Sequence, residues 1–403
     1  MSLIVQKFGG TSVADGERLR HVAKIITDTY AKGHRVVAVL SAQGDTTDEL
    51  IEKAKEINPN PSAREMDMLL STGEQISVSL CAMAIEALGY PVVSLTGWQS
   101  GIVTNTVSTN ARIKRIDAER VEAELDRRRI VIVTGFQGIN RLGDITTLGR
   151  GGSDTSAVAL AAALHADLCQ IYTDVDGVYT ADPREIKGAR KLDEITYNEM
   201  LELATLGAQV LHNRSVEMAK KYNVKLEVLS SFSGNPGTRI KEVAKGVEKS
   251  YISSVAKDKN IARIALLGVP DETGTSFKVF SLLAANNINV DIILQGIGKA
   301  ERKDICFTVA EGDLERAAGL LREHQESIGF CSMETNADVA KVSVVGAGMI
   351  GSPGVAARLF EALYDAGVNI NMISTSEIKI SVLVDRQDAT KAVQAIHDKF
   401  FAM

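Results

Sequence analysis

The sequence has few of the features that mark exported, membrane or nucleic-acid-binding proteins. Its 403 residues contain four cysteines, and no two of them form a CxxC pair. Without an export signal, these cysteines are expected to be reduced thiols rather than disulfides or zinc ligands. No apolar run is long enough for a bilayer, and the N-terminus lacks a signal-peptide layout. The net charge is −6, whereas nucleic-acid-binding proteins usually have a basic face. These absences predict a cytoplasmic protein with no membrane or nucleic-acid partner.

The common nucleotide-binding motifs are also missing. The sequence contains neither the Walker A pattern G-x-x-x-x-G-K-[ST] nor the protein-kinase catalytic loop. Residues 346–351 fit the dinucleotide motif G-x-G-x-x-G, but too little chain follows for a doubly wound sheet. The next predicted strand, residues 369–373, does not end in the acidic residue that would hydrogen-bond the ribose of a dinucleotide. We interpret this segment as a turn, so any phosphoryl transfer must use another scaffold.

Strands and helices alternate over the first 240 residues, which predicts a three-layer α/β/α domain. Short Val/Ile/Leu-rich runs bounded by turn residues are typical of buried parallel strands. The predicted strands are Leu3–Phe8, Val36–Leu40, Val92–Leu95, Ile130–Thr134, Leu168–Thr173 and Lys225–Leu229. The predicted helices are Glu17–Ala31, Arg64–Leu88, Ala118–Arg128 and Asp154–Ala166.

An internal repeat follows this domain. Residues 262–268 match 340–346 at an offset of 78, and 289–293 match 369–373 at an offset of 80. Each copy indicates strand, helix, strand, strand, helix, the pattern of a ferredoxin-like βαββαβ module. Such a pair suits ligand sensing, although it could serve dimerisation alone. The predicted boundaries are 1–240 for the catalytic domain, 241–260 for a linker, and 261–335 and 339–403 for the modules.

Two glycine-rich segments are candidates for holding an anion. Lys7–Ser12 follows the first strand and combines a lysine, two glycines and two hydroxyls. Thr147–Thr155 combines glycines, an arginine and a helix start, which suits a carboxylate or phosphate. Arg150 can bind a carboxylate through two parallel hydrogen bonds. An ordinary Gly-Gly turn and a plain loop are the alternative interpretations.

Three further segments in the first 240 residues contain candidate functional side chains. Ser41–Asp48 offers hydroxyls after the second strand, or simply a capped helix start. Tyr172–Arg184 is rich in Asp, Gly and Pro and predicts an ordered loop able to hold a nucleotide; its acidic spacing does not fit an EF-hand. Glu74 follows a glycine inside a predicted helix, where it could bind an ammonium group or lie on a solvated face.

Taken together, these segments resemble the aspartate kinases of the monofunctional kind with two C-terminal ACT domains. The resemblance covers nearly the whole chain. It is carried by Lys7–Ser12, Ser41–Leu50, Gly135–Gly138, Gly149–Asp154, Thr173–Arg184 and Ser374–Glu377. The fold it implies is an amino-acid-kinase domain followed by two ACT domains. The activity it implies is ATP-dependent phosphorylation of L-aspartate to 4-phospho-L-aspartate, the first step toward lysine, threonine and methionine.

The resemblance also implies residue roles. Lys7 would stabilise the transferring phosphoryl group, and Asp154 would hold that lysine. The substrate-binding residues would be Ser41, Thr47, Glu74, Arg150, Gly151, Gly152 and Ser153, with Arg150 on the α-carboxylate and Glu74 on the ammonium. The ATP site would comprise Lys7, Gly9, Gly10, Thr173, Asp174, Tyr179, Asp182, Arg184 and Gln209. Mg²⁺ would be carried by the ATP phosphates rather than by protein ligands.

One position departs from the family pattern. Many relatives carry a lysine where this sequence has Gln209, within Gly-Ala-Gln-Val-Leu-His. A glutamine can donate hydrogen bonds but brings no charge to the ATP phosphates. Lys7, Arg184 and the metal would therefore carry more of the charge neutralisation.

The ACT pair implies feedback by lysine, threonine or both, and a homo-oligomer joined through these modules. The implied effector contacts are Asp271, Gly274, Asn289, Asp291, Gln295, Asn369, Ile370, Ser376 and Glu377. Two other functions stay open at this point. One is a carboxylate kinase of the same fold acting on glutamate or N-acetylglutamate, and the other is an inactive amino-acid sensor.

Overall fold

The computed structural model describes residues 1–206, 210–243, 251–296, 301–349 and 352–401. The chain divides into two compact units. The first is Met1–Tyr179 with Lys191–Lys245, and the second is Thr180–Arg190 with Gly246–Met403. The segment Thr180–Arg190 thus belongs with the second unit, although its sequence lies within the predicted catalytic domain.

The first unit alternates strands and helices. Its strands are β1 (Leu3–Phe8), β2 (Arg35–Leu40), β3 (Val92–Leu95), β4 (Ile102–Thr104), β5 (Ile113–Ile116), β6 (Ile130–Thr134), β7 (Gln137–Ile139), β8 (Ile145–Thr147), β9 (Leu168–Thr173), β10 (Glu194–Thr196), β11 (Leu226–Ser230) and β12 (Thr238–Lys241). Its helices are α1 (Gly16–Ala31), α2 (Thr46–Ile57), α3 (Ala63–Ala87), α4 (Glu119–Asp126), α5 (Gly152–Ala163), α6 (Tyr197–Thr205) and α7 (Asn213–Tyr222).

Eight strands form the main sheet, in the order β10-β12-β11-β9-β1-β2-β6-β3. Neighbouring strands run parallel except for the pair β11 and β12. Strands β1, β2 and β6 are almost entirely buried, as parallel strands covered by helices on both faces should be. A second sheet has the order β5-β4-β7-β8. The predicted α/β domain is confirmed.

Helix α3 departs from one expectation. By length and composition it could cross a membrane, with a mean hydropathy of 1.3 over an 18-residue window. Half of that window is buried, and Val78, Cys81 and Ile85 belong to the core that also contains Phe8. Its buried face also carries two carboxylates, Asp67 and Glu74. The contacts are those of a core helix in the first unit.

The second unit contains two similar modules. Its strands are β13 (Ser254–Asp258), β14 (Ala262–Pro270), β15 (Val290–Gln295), β16 (Arg302–Val309), β17 (Ser332–Asn336), β18 (Val339–Val345), β19 (Met372–Thr375) and β20 (Lys379–Asp385). Its helices are α8 (Thr275–Ala285), α9 (Leu314–Glu323), α10 (Gln325–Ile328), α11 (Val355–Asp365) and α12 (Ala389–Phe401). The sheets have the orders β15-β16-β14-β17 and β13-β18-β20-β19, so the predicted ferredoxin-like pair is confirmed.

The second module takes its fourth strand from an unexpected place. Strand β13 lies within the predicted linker, upstream of the whole first module, and pairs antiparallel with β18. The described chain after β20 contains only a short turn and helix α12. The free edge of β18 would otherwise leave its backbone groups unpaired, which explains why a strand is recruited from before the first module.

Candidate active site

The candidate residues of the first unit gather at one edge of the main sheet. Register pairs Phe8 with both Leu40 and Tyr172, and Tyr172 with Leu229. The carboxyl ends of β1, β2, β9 and β11 therefore lie side by side. Ligands bind at this edge of open α/β sheets, where successive connections leave in opposite directions. Here β1 is that point, because β2 and β9 flank it on opposite sides.

Lys7 and Asp154 form a close ion pair. The Lys7 Nζ atom lies 2.7 Å from Asp154 Oδ1, and both side chains are 12% exposed. Lys7 is near the end of β1, and Asp154 is in the first turn of α5. Among the described residues no side chain caps the N-terminus of that helix. The lysine charge therefore lies beside an uncapped helix N-terminus, a position that favours anions.

The first two loops interlock through backbone contacts. The Gly44 N–H donates to the Gly10 carbonyl at 3.1 Å, and the Ser41 N–H donates to the Phe8 carbonyl at 3.1 Å. A Cβ atom at Gly10 would lie 2.9 Å from the Ala42 carbonyl oxygen. Glycine is therefore required at residue 10 for close approach, and Ser41 is held beside the Lys7 strand. Thr47 is half-buried in the first turn of α2.

Glu74 is a buried carboxylate, not a residue on a solvated face. It is 3% exposed, and its Oε1 accepts from the Ala42 N–H at 3.2 Å. Among the residues that the structure describes, its Oε2 has no hydrogen-bond partner. Burial raises the pKa of Glu74 to about 8, and nearby N–H donors including the Gln137 amide partly oppose this rise. The site thus holds an acceptor that lacks a donor.

The Arg150 segment is shaped by glycines. Gly151 has φ +67° and immediately precedes α5, and a Cβ there would lie 2.2 Å from Cγ of His212. A Cβ at Gly152 would lie 2.9 Å from the Phe136 ring, and Ser153 is buried. Arg150 is exposed, and within the described ranges no hydrogen bond or ion pair engages its guanidinium. The charge is thus available to a ligand.

The predicted ATP residues fall into both units. In the first unit, Thr173 Oγ1 donates to Asp174 at 3.0 Å, and the Tyr179 hydroxyl donates to Asp176 at 2.6 Å. That hydrogen bond raises the pKa of Tyr179 to about 12. In the second unit, Arg184 donates twice to Asp182, at 3.0 and 2.9 Å. Gln209 lies outside the described residues.

The sequence interpretation missed residues that support this edge of the sheet. Asp67 is fully buried and accepts from the Thr109 N–H at 3.0 Å and from Thr147 Oγ1 at 2.6 Å. Its spacing of seven residues from Glu74, on one helix face, is a signal that could have found it. His212, against Gly151, has a pKa lowered by burial; nothing in its local sequence marks that contact.

A second group of missed residues ties loops together. Arg214 donates to the Leu148 carbonyl at 2.6 Å and the Ala111 carbonyl at 2.9 Å, which fixes the segment before Arg150. Ser12 and Ser231 hydroxyls hydrogen-bond at 2.8 Å in a buried contact. This contact joins the turn after β1, which contains Ser12, to the end of β11. The paired residues lie 66 to 219 positions apart in the sequence, so no local pattern predicts these contacts.

The predicted effector residues lie in the second unit. Asp271 pairs with Lys303 at 2.8 Å, and Gln295 accepts from Ser276 at 3.2 Å beside the start of α8. Asp291 pairs with Lys341 of the second module, so it is already engaged by a buried lysine. Gly274 immediately precedes α8 with φ +95°, and no atom of the described residues would lie within 4 Å of a Cβ there. Ile370 packs on the second module's core, and four other predicted contacts are exposed: Asn289, Asn369, Ser376 and Glu377.

Comparison with known proteins identifies the family. Residues 2–230 match the amino acid kinase family, and residues 264–325 and 342–400 match the ACT domain. The aspartokinase of Bacillus sp. strain MGA3 is 50% identical over 400 residues, which are 99% of this chain and 97% of that protein. Aspartokinase 2 of Bacillus subtilis strain 168 is likewise 50% identical over 400 residues, or 99% and 98%.

The chain belongs to the aspartokinase family. The fold agrees with that assignment. The crystal structure of E. coli aspartokinase III in complex with aspartate and ADP, in the R-state, matches with a TM-score of 0.84 at 27% identity. The match covers 99% of this chain and 100% of that chain. The T-state of the same enzyme with lysine and aspartate matches with a TM-score of 0.78 at 28% identity, over 99% of both chains.

Proposed function

We propose that the chain transfers the γ-phosphoryl group of ATP to the side-chain carboxylate of L-aspartate, giving 4-phospho-L-aspartate. The observation that carries this proposal is the Lys7–Asp154 ion pair, at the same sheet edge as an unengaged Arg150 and a buried Glu74. These residues match the charges of the reactants. Lys7 is a cation for the phosphoryl group, Arg150 is a cation for the α-carboxylate, and Glu74 is an anion for the ammonium group. This product opens the route to lysine, threonine and methionine.

The chemistry needs little covalent help from protein. Phosphoryl transfer depends mainly on positioning and charge stabilisation. The nucleophile is a carboxylate that is already ionised, so no general base is required. Lys7 would meet the negative charge of the transferring group, and Asp154 would fix the lysine. Arg150 would hold the α-carboxylate, and Ser41 and Thr47 would orient the reacting carboxylate.

ATP is assigned to the loops after β1 and β9. Gly9 and Gly10 would lie beside the phosphates, and the nucleotide would contact Thr173, Asp174, Tyr179, Asp182 and Arg184. In the described ranges no group of three or more His, Cys, Asp or Glu could hold a metal ion. We assign Mg²⁺ to the ATP phosphates, whose oxygens the metal bridges in phosphoryl-transfer enzymes.

An ATP-consumption assay with aspartate, glutamate and N-acetylglutamate tests this function. Turnover is expected with aspartate, and N-acetylglutamate should fail because it lacks the free ammonium that Glu74 would bind. Turnover with glutamate alone would indicate a different carboxylate kinase. Effector binding without turnover of any substrate would indicate an inactive sensor. Parallel reactions with lysine, threonine and both measure feedback.

Regulation and assembly belong to the same proposal. Lysine and threonine are the proposed effectors, bound by the second unit. Strands β15 and β19 form the edges of the two module sheets and expose Ile293, Leu294 and Ile373. Apolar edges of this kind favour pairing with another copy, which supports a homo-oligomer through the ACT domains. A cytoplasmic location is proposed because ATP is the co-substrate.

Arg150→Ala is expected to raise the KM for aspartate about thirtyfold, because two charge-assisted hydrogen bonds to the α-carboxylate are lost. The KM for ATP should stay unchanged. Steady-state kinetics with each substrate varied in turn provides the measurement. Arg141→Ala is the matched control, since Arg141 is an exposed arginine nine positions upstream. An unchanged aspartate KM in Arg150→Ala would rule out the α-carboxylate role.

Aspartate affinity is expected to rise with pH up to about pH 8. Burial raises the pKa of Glu74 to about 8, so below that pH the free protein holds Glu74 mainly protonated. An ammonium needs the ionised form, and binding must therefore release a proton. Each pH unit below 8 should weaken binding about tenfold, with little change above it. Calorimetric titration with aspartate from pH 6 to 8.5 measures the slope.

Glu74→Gln is the control for this pH dependence. The glutamine cannot ionise, so its affinity should be weaker and nearly independent of pH over the same range. A wild-type protein whose aspartate affinity did not change between pH 6 and 8 would contradict the assignment of Glu74.

A further inference from the structure

Gln137 is a fully buried amide with an acceptor that has no donor. It begins β7, and its Nε2 donates to the Ser71 carbonyl at 2.9 Å. This hydrogen bond fixes the orientation of the amide, because the opposite orientation would set two carbonyl oxygens against each other. The Oε1 atom is buried and has no hydrogen-bond partner within the described part of the chain. A buried acceptor without a donor destabilises the fold unless a ligand supplies the missing hydrogen bond.

The neighbouring carboxylate has the same deficiency. Ser71 and Glu74 are three residues apart on α3 and both are buried, so they share one helix face. Glu74 Oε1 accepts from the Ala42 N–H, whereas Oε2 is buried and also lacks a donor. The Gln137 amide N–H lies close enough to the Glu74 carboxylate to lower its pKa, although no hydrogen bond reaches Oε2 among the described residues. Two orphaned acceptors therefore belong to one buried cluster.

We infer that Gln137 is a second acceptor for the α-ammonium group of the substrate, acting beside Glu74. The inference rests on the proposed function, in which Glu74 takes that ammonium. An ammonium group has three N–H donors, so it can satisfy Glu74 Oε2 and Gln137 Oε1 together. A dicarboxylate without the amino group supplies no donor to either oxygen, and sites built this way reject such analogues strongly. Gln137 is thus a specificity residue for amino dicarboxylates.

Discrimination between L-aspartate and succinate tests the inference. Succinate is the same dicarboxylate without the amino group. In Gln137→Leu, the ratio of succinate Kd to aspartate Kd should fall about tenfold, since one hydrogen bond to a charged donor is lost. The loss should come from weaker aspartate binding, with ATP binding unchanged. Calorimetric titrations of the full chain with each ligand give the ratio, and thermal melting checks the fold.

Gln75→Leu is a matched control. Gln75 also donates its Nε2 to the Ser71 carbonyl, at 3.1 Å, so this variant removes an equivalent donor without touching the acceptor. Its discrimination ratio should equal that of the wild type. Gln137→Met, with a similar side-chain volume and no amide, repeats the test if the leucine variant does not fold.

Glu74→Gln separates failure of this inference from failure of the proposed function. If Glu74→Gln lowers discrimination and both Gln137 variants leave it unchanged, Gln137 is no acceptor and the inference falls. If Glu74→Gln also leaves discrimination unchanged, the ammonium site itself is assigned wrongly. A loss in Gln75→Leu as large as in Gln137→Leu would reduce Gln137 to a structural support.

Discussion

Replacing Lys7 by alanine is expected to lower kcat about a thousandfold while ATP binding changes only a few-fold. The lysine is nearly buried, and its Nζ lies 2.7 Å from Asp154, so its charge is held in place before the reaction begins. A preorganised charge at the transferring phosphoryl group stabilises the transition state more than the bound substrate, and donors of this kind are worth about a hundred- to a thousandfold or more. Steady-state kinetics and calorimetric ATP titration separate the two quantities.

Two variants control this experiment. Asp154→Asn keeps the lysine but removes its anchor, so kcat should fall by less than in Lys7→Ala. Lys24→Ala removes an exposed lysine that pairs with Asp28 at 3.2 Å on α1, and it should leave kcat unchanged because exposed pairs contribute little. If Lys7→Ala raised only the KM for aspartate and kept kcat, the transition-state role of Lys7 would be wrong.

The main sheet could be predicted because its strands carry their own signal. Each is a short run rich in Val, Ile and Leu, and the central strands β1, β2 and β6 are almost entirely buried. Four of the six predicted strands agree with the structure at both ends, among them Leu3–Phe8 and Leu168–Thr173. The second sheet of the first unit was not predicted. Its strands β4, β7 and β8 are three residues long, too short for alternation of polar and apolar residues to distinguish them from loop.

Long-range pairing set a second limit on prediction. Strand β13 has the sequence Ser-Val-Ala-Lys-Asp, which looks like linker and becomes a strand only because β18 offers an open edge. Likewise, Thr180–Arg190 reads as the continuation of a nucleotide loop, yet it belongs to the second unit. Its Thr180 hydroxyl contacts His397 at 2.9 Å across 217 residues of chain. Contacts at such separation leave no local pattern.

The candidate active site likewise contains some residues that could be predicted from the sequence and others that could not. Lys7, Asp154 and Glu74 could be proposed because they lie near glycines at a strand end, a helix start and inside a predicted helix. The family resemblance then implied their roles. The residues that contact them could not be predicted from the sequence. Gln137 is an amide in an ordinary three-residue strand, and only the fold brings it to the face of α3 that carries Ser71 and Glu74. Burial, which raises the pKa of Glu74, also depends on the folded core.

Gly151→Ala is expected to lower kcat/KM for aspartate about a hundredfold, because a displacement of about 1 Å in a positioned group can cost that much. Residue 151 has φ +67°, a conformation that disfavours any side chain. A Cβ there would also lie 2.2 Å from Cγ and 2.3 Å from Cβ of His212, closer than atoms can approach. Either His212 or the Arg150 loop must move, and the start of α5 moves with that loop.

Two further variants separate strain from collision. Gly143→Ala has the same left-handed φ, +83°, but no atom of the described residues lies within 4 Å of its Cβ. This variant should melt slightly earlier and keep its activity. His212→Gly added to Gly151→Ala removes the colliding Cβ, Cγ and Cδ2 atoms of His212, so activity should partly return even though the φ strain remains. If the double variant stayed as inactive as Gly151→Ala, backbone strain rather than His212 would position Arg150. If Gly143→Ala lost activity equally, the effect would be one of stability and would say nothing about the substrate loop.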